Sequence, residues 1–250
     1  KDAAGKVIAT QRFTKTIRAN ASGNTLSCTI LEPNTNGTGV SNSPFSGARI
    51  PDLPPAPDLS QVKFGAPVTL FNGKDLSGWK LTNEKQVNGW SAVDGILVNN
   101  TVKEEGKPSK PYGNLRTVAE FEDFNLACEV YIDPKGNSGV YLRGIYEVQV
   151  EDSYGEPVDS HNMGGIYSRI APSVSADKPA GQWQTLDITL CKRHVTVILN
   201  GTTIIDNQPL LGCTGGALTS DEFKPGPIYL QGDHTGVKYR NIVFKPIVSG

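Results

Sequence analysis

Apolar and polar residues alternate with a period of two along most of this chain, which is the periodicity of a half-buried β-strand. Between residues 124 and 132, the side chains that share one face are Phe124, Leu126, Cys128, Val130 and Ile132. No comparably long segment carries the 3.6-residue apolar period of an amphipathic helix. The pattern therefore predicts an all-β protein.

Short alternating segments recur with turn signals between them. The predicted strands are Val68–Phe71, Ile96–Asn99, Phe124–Ile132, Ser138–Arg143, Tyr146–Glu151, Gly165–Ile170, Gln184–Leu190, His194–Leu199, Thr202–Asp206, Pro227–Gln231 and Val237–Val243. The chain holds 27 glycines and 17 prolines, the residues that build tight turns, and Asn200-Gly201 is a strong two-residue hairpin signal. Many short antiparallel strands favour a β-sandwich or jelly roll.

A proline-rich run predicts the domain organisation. Four of the seven residues from Pro51 to Pro57 are proline, which is typical of a stiff, extended connector. Before it, Lys6–Ala19 and Asn24–Glu32 are predicted strands and Pro33–Ser46 a predicted loop. We expect an N-terminal β arm or partial module at 1–50, a linker at 51–63 and the sandwich at 64–248.

Charge and cysteine usage exclude several classes of protein. The 24 Lys and Arg residues balance 25 Asp and Glu residues, which argues against a general nucleic-acid binder. No apolar run reaches the ~18 residues of a transmembrane helix, and a start at Lys1 without Met is expected of a processed chain. The four cysteines have no CxxC spacing, which disfavours a zinc or redox motif. Cys128 and Cys191 fit the core, whereas pairing of Cys28 or Cys213 stays open.

The densest polar cluster lies on two consecutive predicted strands. If they form a hairpin, Val140, Leu142, Val148 and Val150 point one way. The opposite face then presents Tyr141, Arg143, Glu147, Gln149 and Glu151. This face is either a solvated surface with cross-strand ion pairs or a binding surface, and its mixture of Arg, carboxylate, amide and Tyr suits a hydroxyl-rich ligand such as a carbohydrate.

Aromatic and histidine positions allow a similar pair of interpretations. Trp79, Trp90 and Trp183 could offer platforms to sugar rings, or they could belong to the core, as we expect for Trp183. His161 and His234 lie in polar, Gly-containing loops, where a histidine serves as a base or ligand or simply bonds within its turn.

A series of motifs resembles one known family. These are LFNGKDLSGW at 70–79, Trp90, Asp94-Gly95, GNLRT at 113–117, FEDF at 121–124, NSGVYLRG at 137–144, YEVQVEDSYG at 146–155, KPAGQWQ at 178–184, Asn200-Gly201, GPIYLQ at 226–231 and YRNI at 239–242. In order and over about residues 64–248, they are similar to the 3-keto-disaccharide hydrolase family, also catalogued as domain of unknown function 1080.

The resemblance implies a concanavalin A-like jelly roll, release of a 3-keto sugar from 3-keto-glycosides, and a bacterial periplasmic or cell-surface location. Matching motifs carry over five candidate residues, Arg143, Glu147, Gln149, Asp152 and His234. Further candidate sugar-binding residues are Tyr141, Glu129, Asn137, Gln231 and His161. Glu151 departs from the family pattern, which has an apolar residue there.

A 3-keto group acidifies the proton on C2, so that a base can form an enolate and the C1 substituent can leave by elimination. We expect Glu147 to be the base, Arg143 to stabilise the enolate oxygen, and His234 to be the acid or, with Glu147, a ligand of a divalent metal ion. One alternative is a retaining glycosidase that uses Glu147 and Glu151. Another is a non-catalytic carbohydrate-binding module. The aglycone, the linkage and the oligomeric state stay open.

Overall fold

The computed structural model describes residues 13–35, 37–50, 52–101 and 110–248, and these form short β-strands joined by turns. Within these ranges the only helix is a 3-10 turn at Leu59–Gln61, and none of them contains a helix that could cross a bilayer. The strands are β1 (Thr16–Ser22), β2 (Thr25–Pro33), β3 (Val40–Ala48), β4 (Lys63–Phe64), β5 (Val68–Thr69), β6 (Trp79–Leu81), β7 (Trp90–Val93), β8 (Ile96–Asn99), β9 (Leu115–Thr117), β10 (Phe124–Ile132), β11 (Asn137–Leu142), β12 (Tyr146–Glu151), β13 (Gln184–Cys191), β14 (His194–Leu199), β15 (Thr202–Pro209), β16 (Tyr229–Leu230) and β17 (Val237–Val248). The all-β prediction is confirmed.

The chain divides into two compact units, residues 1–52 and residues 53–250. In the first unit, β1, β2 and β3 form an antiparallel sheet in that order. The prediction of a loop over Pro33–Ser46 is wrong where β3 lies. β3 has no apolar alternation, and its pairing along the whole length of β2, from Thr25 opposite Ala48 to Pro33 opposite Val40, defines it instead. Residues 6–12 of the predicted first strand lie outside the described residues, and the predicted domain boundaries stay a prediction.

The second unit contains two antiparallel sheets. A nine-stranded sheet has the order β15-β14-β13-β10-β17-β8-β7, with β4 and β5 also paired to β17, and a five-stranded sheet has the order β12-β11-β16-β9-β6. One apolar core joins them, because Leu126 and Leu186 of the larger sheet belong to the same buried cluster as Val140 and Val148 of the smaller one. Burying one face of each sheet in this way makes a β-sandwich.

Left-handed turn residues close the hairpins of the larger sheet. Asn200 and Gly201 have φ of 51° and 84° between β14 and β15, as the Asn-Gly signal predicts. Lys192 and Arg193, with φ of 49° and 60°, make the equivalent turn between β13 and β14.

Some expectations from the sequence are wrong in detail. Residues 165–170 are not a strand, because Ile166 and Ile170 bond to each other across a tight turn in which Ser168 has φ of 57°. Trp183 is not in the core. Its ring is partly exposed and packs against Tyr131. Cys128 and Cys191 are buried as expected, and all four cysteines are unpaired.

Candidate functional site

The β11–β12 hairpin sets which side chains face the core. Tyr141 lies opposite Glu147 and Gly139 lies opposite Gln149. The intervening Val140 and Val148 are fully buried in the core. The predicted apolar side of this hairpin is therefore confirmed, and Glu147 lies on the face turned away from the core.

A cavity of about 350 Å³ opens over this face of the five-stranded sheet. Its size is at the lower end of the ~300–1,000 Å³ typical of ligand pockets. The lining residues are Asn114, Asn137, Tyr141, Glu147, Tyr167, Gly215, Gly216, Tyr229, Gln231, Asp233 and His234. A groove of about 660 Å³ beside Pro57 and Phe244 is larger. None of the predicted site residues lines that groove, so the smaller cavity is the candidate site.

Glu147 is the chemically distinctive group in the cavity. Glu147 is only 3% exposed. Its backbone N–H donates to Thr214 Oγ1 over 3.0 Å. Burial raises the pKa of Glu147 to about 7, although a hydrogen bond with Tyr141 and the nearby His234 both oppose the rise. A carboxylate with this pKa can accept or release a proton near neutral pH.

Gly139 makes room for Glu147. A Cβ added to Gly139 would lie 2.9 Å from Glu147 Cγ and 3.0 Å from Cδ. Because real Cβ atoms do not approach so closely, any other residue at position 139 would displace the carboxylate.

A second polar group surrounds His234. Its Nδ1 lies 2.6 Å from Asp233 Oδ1, and this hydrogen bond lowers the pKa of Asp233. The Asn114 amide donates to the Tyr229 hydroxyl over 2.9 Å and to Asp233 Oδ2 over 3.4 Å. The imidazole is thus oriented by a carboxylate that is itself held in place.

Two stacked tyrosines form the base of the cavity. The rings of Tyr141 and Tyr229 lie 4.1 Å apart and nearly parallel, at 10°. Both residues are at most 2% exposed, and one face of each ring is covered by the other ring. Burial raises the pKa of both hydroxyls, which keeps them protonated. The Tyr141 hydroxyl donates to the Gly215 carbonyl over 2.8 Å.

The expectation that Arg143 shares this face is wrong. Arg143 begins the turn after β11 with φ of 53°, and the alternation of side chains ends with the strand. Its guanidinium donates to the carbonyl oxygens of Glu222 over 2.8 Å and Lys224 over 3.0 Å. Arg143 is buried in this cluster and does not line the cavity.

Of the other candidates on this sheet, Asn137 on β11 and Gln231, directly after β16, line the cavity. Gln149 is 1% exposed and donates to Glu151 Oε2 over 2.9 Å. Of the two glutamates on β12, only Glu147 lines the cavity.

Three candidates lie outside the cavity. Glu129 is on the outer face of the nine-stranded sheet, paired with Arg240 over 2.6 Å. Asp152 accepts the backbone N–H of Lys135 over 2.9 Å, which fixes a turn. His161 bonds to Asp159 in the loop between β12 and β13. Alternation identifies a face of one strand, but it does not say which sheet that strand joins.

The expected metal site consists of the Glu147 carboxylate and the His234 imidazole. Glu147 and His234 line the cavity together with Asp233. In the part of the chain that the structure describes, no group of three or more His, Cys, Asp or Glu side chains is arranged to hold a metal ion. An ion on Glu147 and His234 would therefore take its further ligands from water or substrate.

Four cavity residues with polar side chains were missing from the candidates. They are Asn114, Tyr167, Tyr229 and Asp233. Tyr229 carried a usable signal, because it alternates with the core residues Ile228 and Leu230. Asn114 lies in the GNLRT motif at 113–117, and Asp233 is adjacent to His234. Tyr167 had no such signal, since its segment reaches the site through a turn.

Comparison with known proteins gives one family. The chain matches the 3-keto-alpha-glucoside-1,2-lyase-like domain over residues 66–245. A Bacteroides thetaiotaomicron protein named 3-keto-disaccharide hydrolase is 24% identical over 166 residues, 56% of this chain and 57% of that protein. The match thus spans little more than half of that relative's length.

Two solved structures from Parabacteroides distasonis, provisionally named glycosyl hydrolases, share the fold. One has a TM-score of 0.56 and 28% identity, covering 79% of this chain and 94% of the other. The second has a TM-score of 0.58 and 21% identity, covering 73% of this chain and 94% of the other.

Proposed function

Because the chain belongs to the family of 3-keto-alpha-glucoside-1,2-lyase-like domains, we propose that it cleaves 3-keto-glycosides in the cavity of the five-stranded sheet. The name of the Bacteroides relative, 3-keto-disaccharide hydrolase, supports this substrate class. An exported location, expected from the family resemblance, is part of the same proposal.

The chemistry needs a base, a stabilised enolate and an acid. The base removes the proton from C2, the electron pair forms the enolate of the C3 ketone, and the bond from C1 to the leaving oxygen breaks as that oxygen gains a proton. Water then adds across the resulting double bond. Each proton transfer requires a positioned group whose pKa lies near the working pH.

The observation that carries the proposal is the buried carboxylate of Glu147. Its pKa of about 7 makes it a stronger base than an exposed glutamate. Among the described residues that line the cavity there is no Lys or Arg, so none of them pairs the carboxylate with a permanent positive charge.

The Tyr229 hydroxyl takes the place that Arg143 was expected to fill, and His234 keeps its expected role as the acid. The Asp233–His234 pair is suited to donate a proton to the leaving oxygen. The Tyr229 hydroxyl accepts from the Asn114 amide, which leaves its own proton as a donor to sugar and enolate oxygens.

The first experiment compares substrates. The purified chain is incubated with a 3-keto-disaccharide and with its unoxidised parent, each with and without EDTA. We expect cleavage of the keto sugar alone. Equal cleavage of both would contradict the proposal, glycan retention without product would indicate a binding module, and loss of cleavage in EDTA would add a metal to the mechanism.

The second experiment compares the two glutamates of β12. Glu147→Gln keeps the side-chain shape but cannot take a proton, and we expect cleavage to fall by ~10²–10⁴. Glu151→Gln is the matched control and should stay near the parent rate. A retaining glycosidase that uses both carboxylates would lose activity in both variants.

The third experiment follows the C2 proton. In D₂O, protonation of C2 draws on solvent, so the released 3-keto sugar should carry deuterium at that carbon. Displacement at C1 leaves C2 untouched, and product without deuterium would therefore refute the elimination.

A further inference from the structure

A second group of chemically active side chains lies outside the cavity, in the loop between β12 and β13. Asp159 Oδ1 is 2.5 Å from His161 Nδ1 and also accepts the His161 backbone N–H over 2.9 Å. The other ring nitrogen, Nε2, is 2.8 Å from Ser168 Oγ. Carboxylate, imidazole and hydroxyl are therefore joined in a line.

The order of these bonds fixes the tautomer of the histidine. An ionised carboxylate only accepts hydrogen bonds, so the proton of the neutral ring is on Nδ1, facing Asp159. Nε2 then carries the lone pair and accepts the hydroxyl proton of Ser168. This is the arrangement in which a histidine activates a serine as a nucleophile.

The backbone at Ser168 supports the same interpretation. Ser168 is exposed and has φ of 57°, an uncommon conformation for a residue other than glycine. Within the described residues, its backbone N–H donates to no protein acceptor, although those of Tyr167 and Arg169 do. That N–H is placed on the nucleophile's own residue, where it can stabilise the negative oxygen of an acyl intermediate.

The histidine ring is also held from the side. The Tyr167 ring packs edge-on against it, with centroids 4.8 Å apart at 86°. Contacts on both nitrogens and with the Tyr167 ring restrict the imidazole to one orientation, which a proton relay requires.

We propose that Ser168 is a nucleophile that hydrolyses carboxylic esters. The Ser168 oxygen bonds to the ester carbonyl carbon while His161 Nε2 takes the hydroxyl proton. The bond to the alkoxy oxygen then breaks, and that oxygen leaves with the proton from His161. Water, deprotonated by His161, releases the acid and restores the serine. Ester and water thus give acid and alcohol, independently of glycoside cleavage.

The test uses the whole chain and a fluorophosphonate, which reacts with activated serines. We expect the adduct on Ser168 by peptide mapping of the unsubstituted protein. An adduct at another position, or none, would overturn the proposal without any need for a variant.

Variants then test the relay with p-nitrophenyl acetate as the ester. We expect Ser168→Ala and His161→Asn each to lower hydrolysis by at least about 100-fold, and Asp159→Asn to lower it as well. Ser160→Ala, a serine in the same loop, is the matched control and should behave as the parent. Unchanged hydrolysis and labelling in His161→Asn would show that these bonds only order the loop.

Discussion

Two glutamates are almost completely buried in the sandwich, and their surroundings are opposite. Glu222 is 5% exposed, and its carboxylate accepts the Tyr146 hydroxyl over 2.7 Å and the Gly212 N–H over 3.1 Å, with Arg193 at 3.4 Å. Glu147 is 3% exposed but faces a cavity whose lining, among the described residues, includes no Lys or Arg. Burial alone therefore does not distinguish a functional carboxylate. What distinguishes it is the set of groups that it faces.

The donors around Glu222 compensate its charge, so it holds the turns at one end of the core together. The carboxylate of Glu147 has fewer such donors and carries a raised pKa instead. A buried carboxylate whose negative charge is not balanced by hydrogen-bond donors or cations lowers the stability of the folded state. Such groups with shifted pKa values are concentrated at functional sites. The comparison supports a structural role for Glu222 and the chemical role that we propose for Glu147.

The largest expected effect on stability follows from removing Glu222. Glu222→Ala leaves Arg193 buried without its carboxylate, and we expect the free energy of unfolding to fall by about 3–5 kcal/mol. Urea unfolding at pH 7 measures this change in the free energy of unfolding. Glu147→Ala is the comparison, and an equal loss there would remove the distinction between the two sites.

Titration should separate the two glutamates next. Unfolded Glu147 ionises near pH 4.5 and folded Glu147 near pH 7. Its contribution to stability is thus complete below pH 4.5 and is lost as the pH rises through 7, by about 3 kcal/mol. Glu147→Gln should remove this dependence from the unfolding curves, whereas Glu222→Gln should keep it. Over the same interval kcat/KM should rise, because the base becomes ionised.

Arg143 belongs to the Glu222 side of the comparison. A lysine at this position replaces the planar guanidinium, whose Nε and Nη2 bind the two carbonyls, with one ammonium of different geometry. We expect Arg143→Lys to cost about 1.5–3 kcal/mol of stability. Cleavage per folded molecule should stay at the parent value. A fall in kcat with unchanged stability would return Arg143 to the catalytic site.

The smallest change in stability is expected at Gly139. The atoms that an added methyl would meet belong to the Glu147 side chain, which can move aside. Gly139→Ala should therefore lower the free energy of unfolding by less than about 1 kcal/mol, whereas misplacing the base should reduce kcat ~10–100-fold. Unchanged kcat would mean that Glu147 does not need its present position.

Strand alternation was sufficient to predict the sandwich and the side of β12 on which Glu147 lies. It could not predict the direction of the Arg143 side chain. Arg143 lies just past the end of β11, where the backbone turns and the alternation of faces no longer holds. Likewise Glu129 shows the pattern of an outward residue, but the sheet that contains it depends on long-range pairing. Asp233 and Tyr167 reach the cavity from loops. The path of a loop cannot be predicted from the periodicity of the sequence.

The strand that carries Glu147 is the last of its sheet, yet its outer edge is occupied. The N–H groups of Gly164 and Tyr167 donate to Gln149 and Glu147, and the Gln149 N–H donates to Gly165. An uncovered edge would present these groups to strands of other chains and promote aggregation. The segment at residues 164–167, which contributes Tyr167 to the cavity, therefore also protects this edge from aggregation. Shortening the segment to admit bulkier substrates would leave the β12 edge free to pair with strands of other chains.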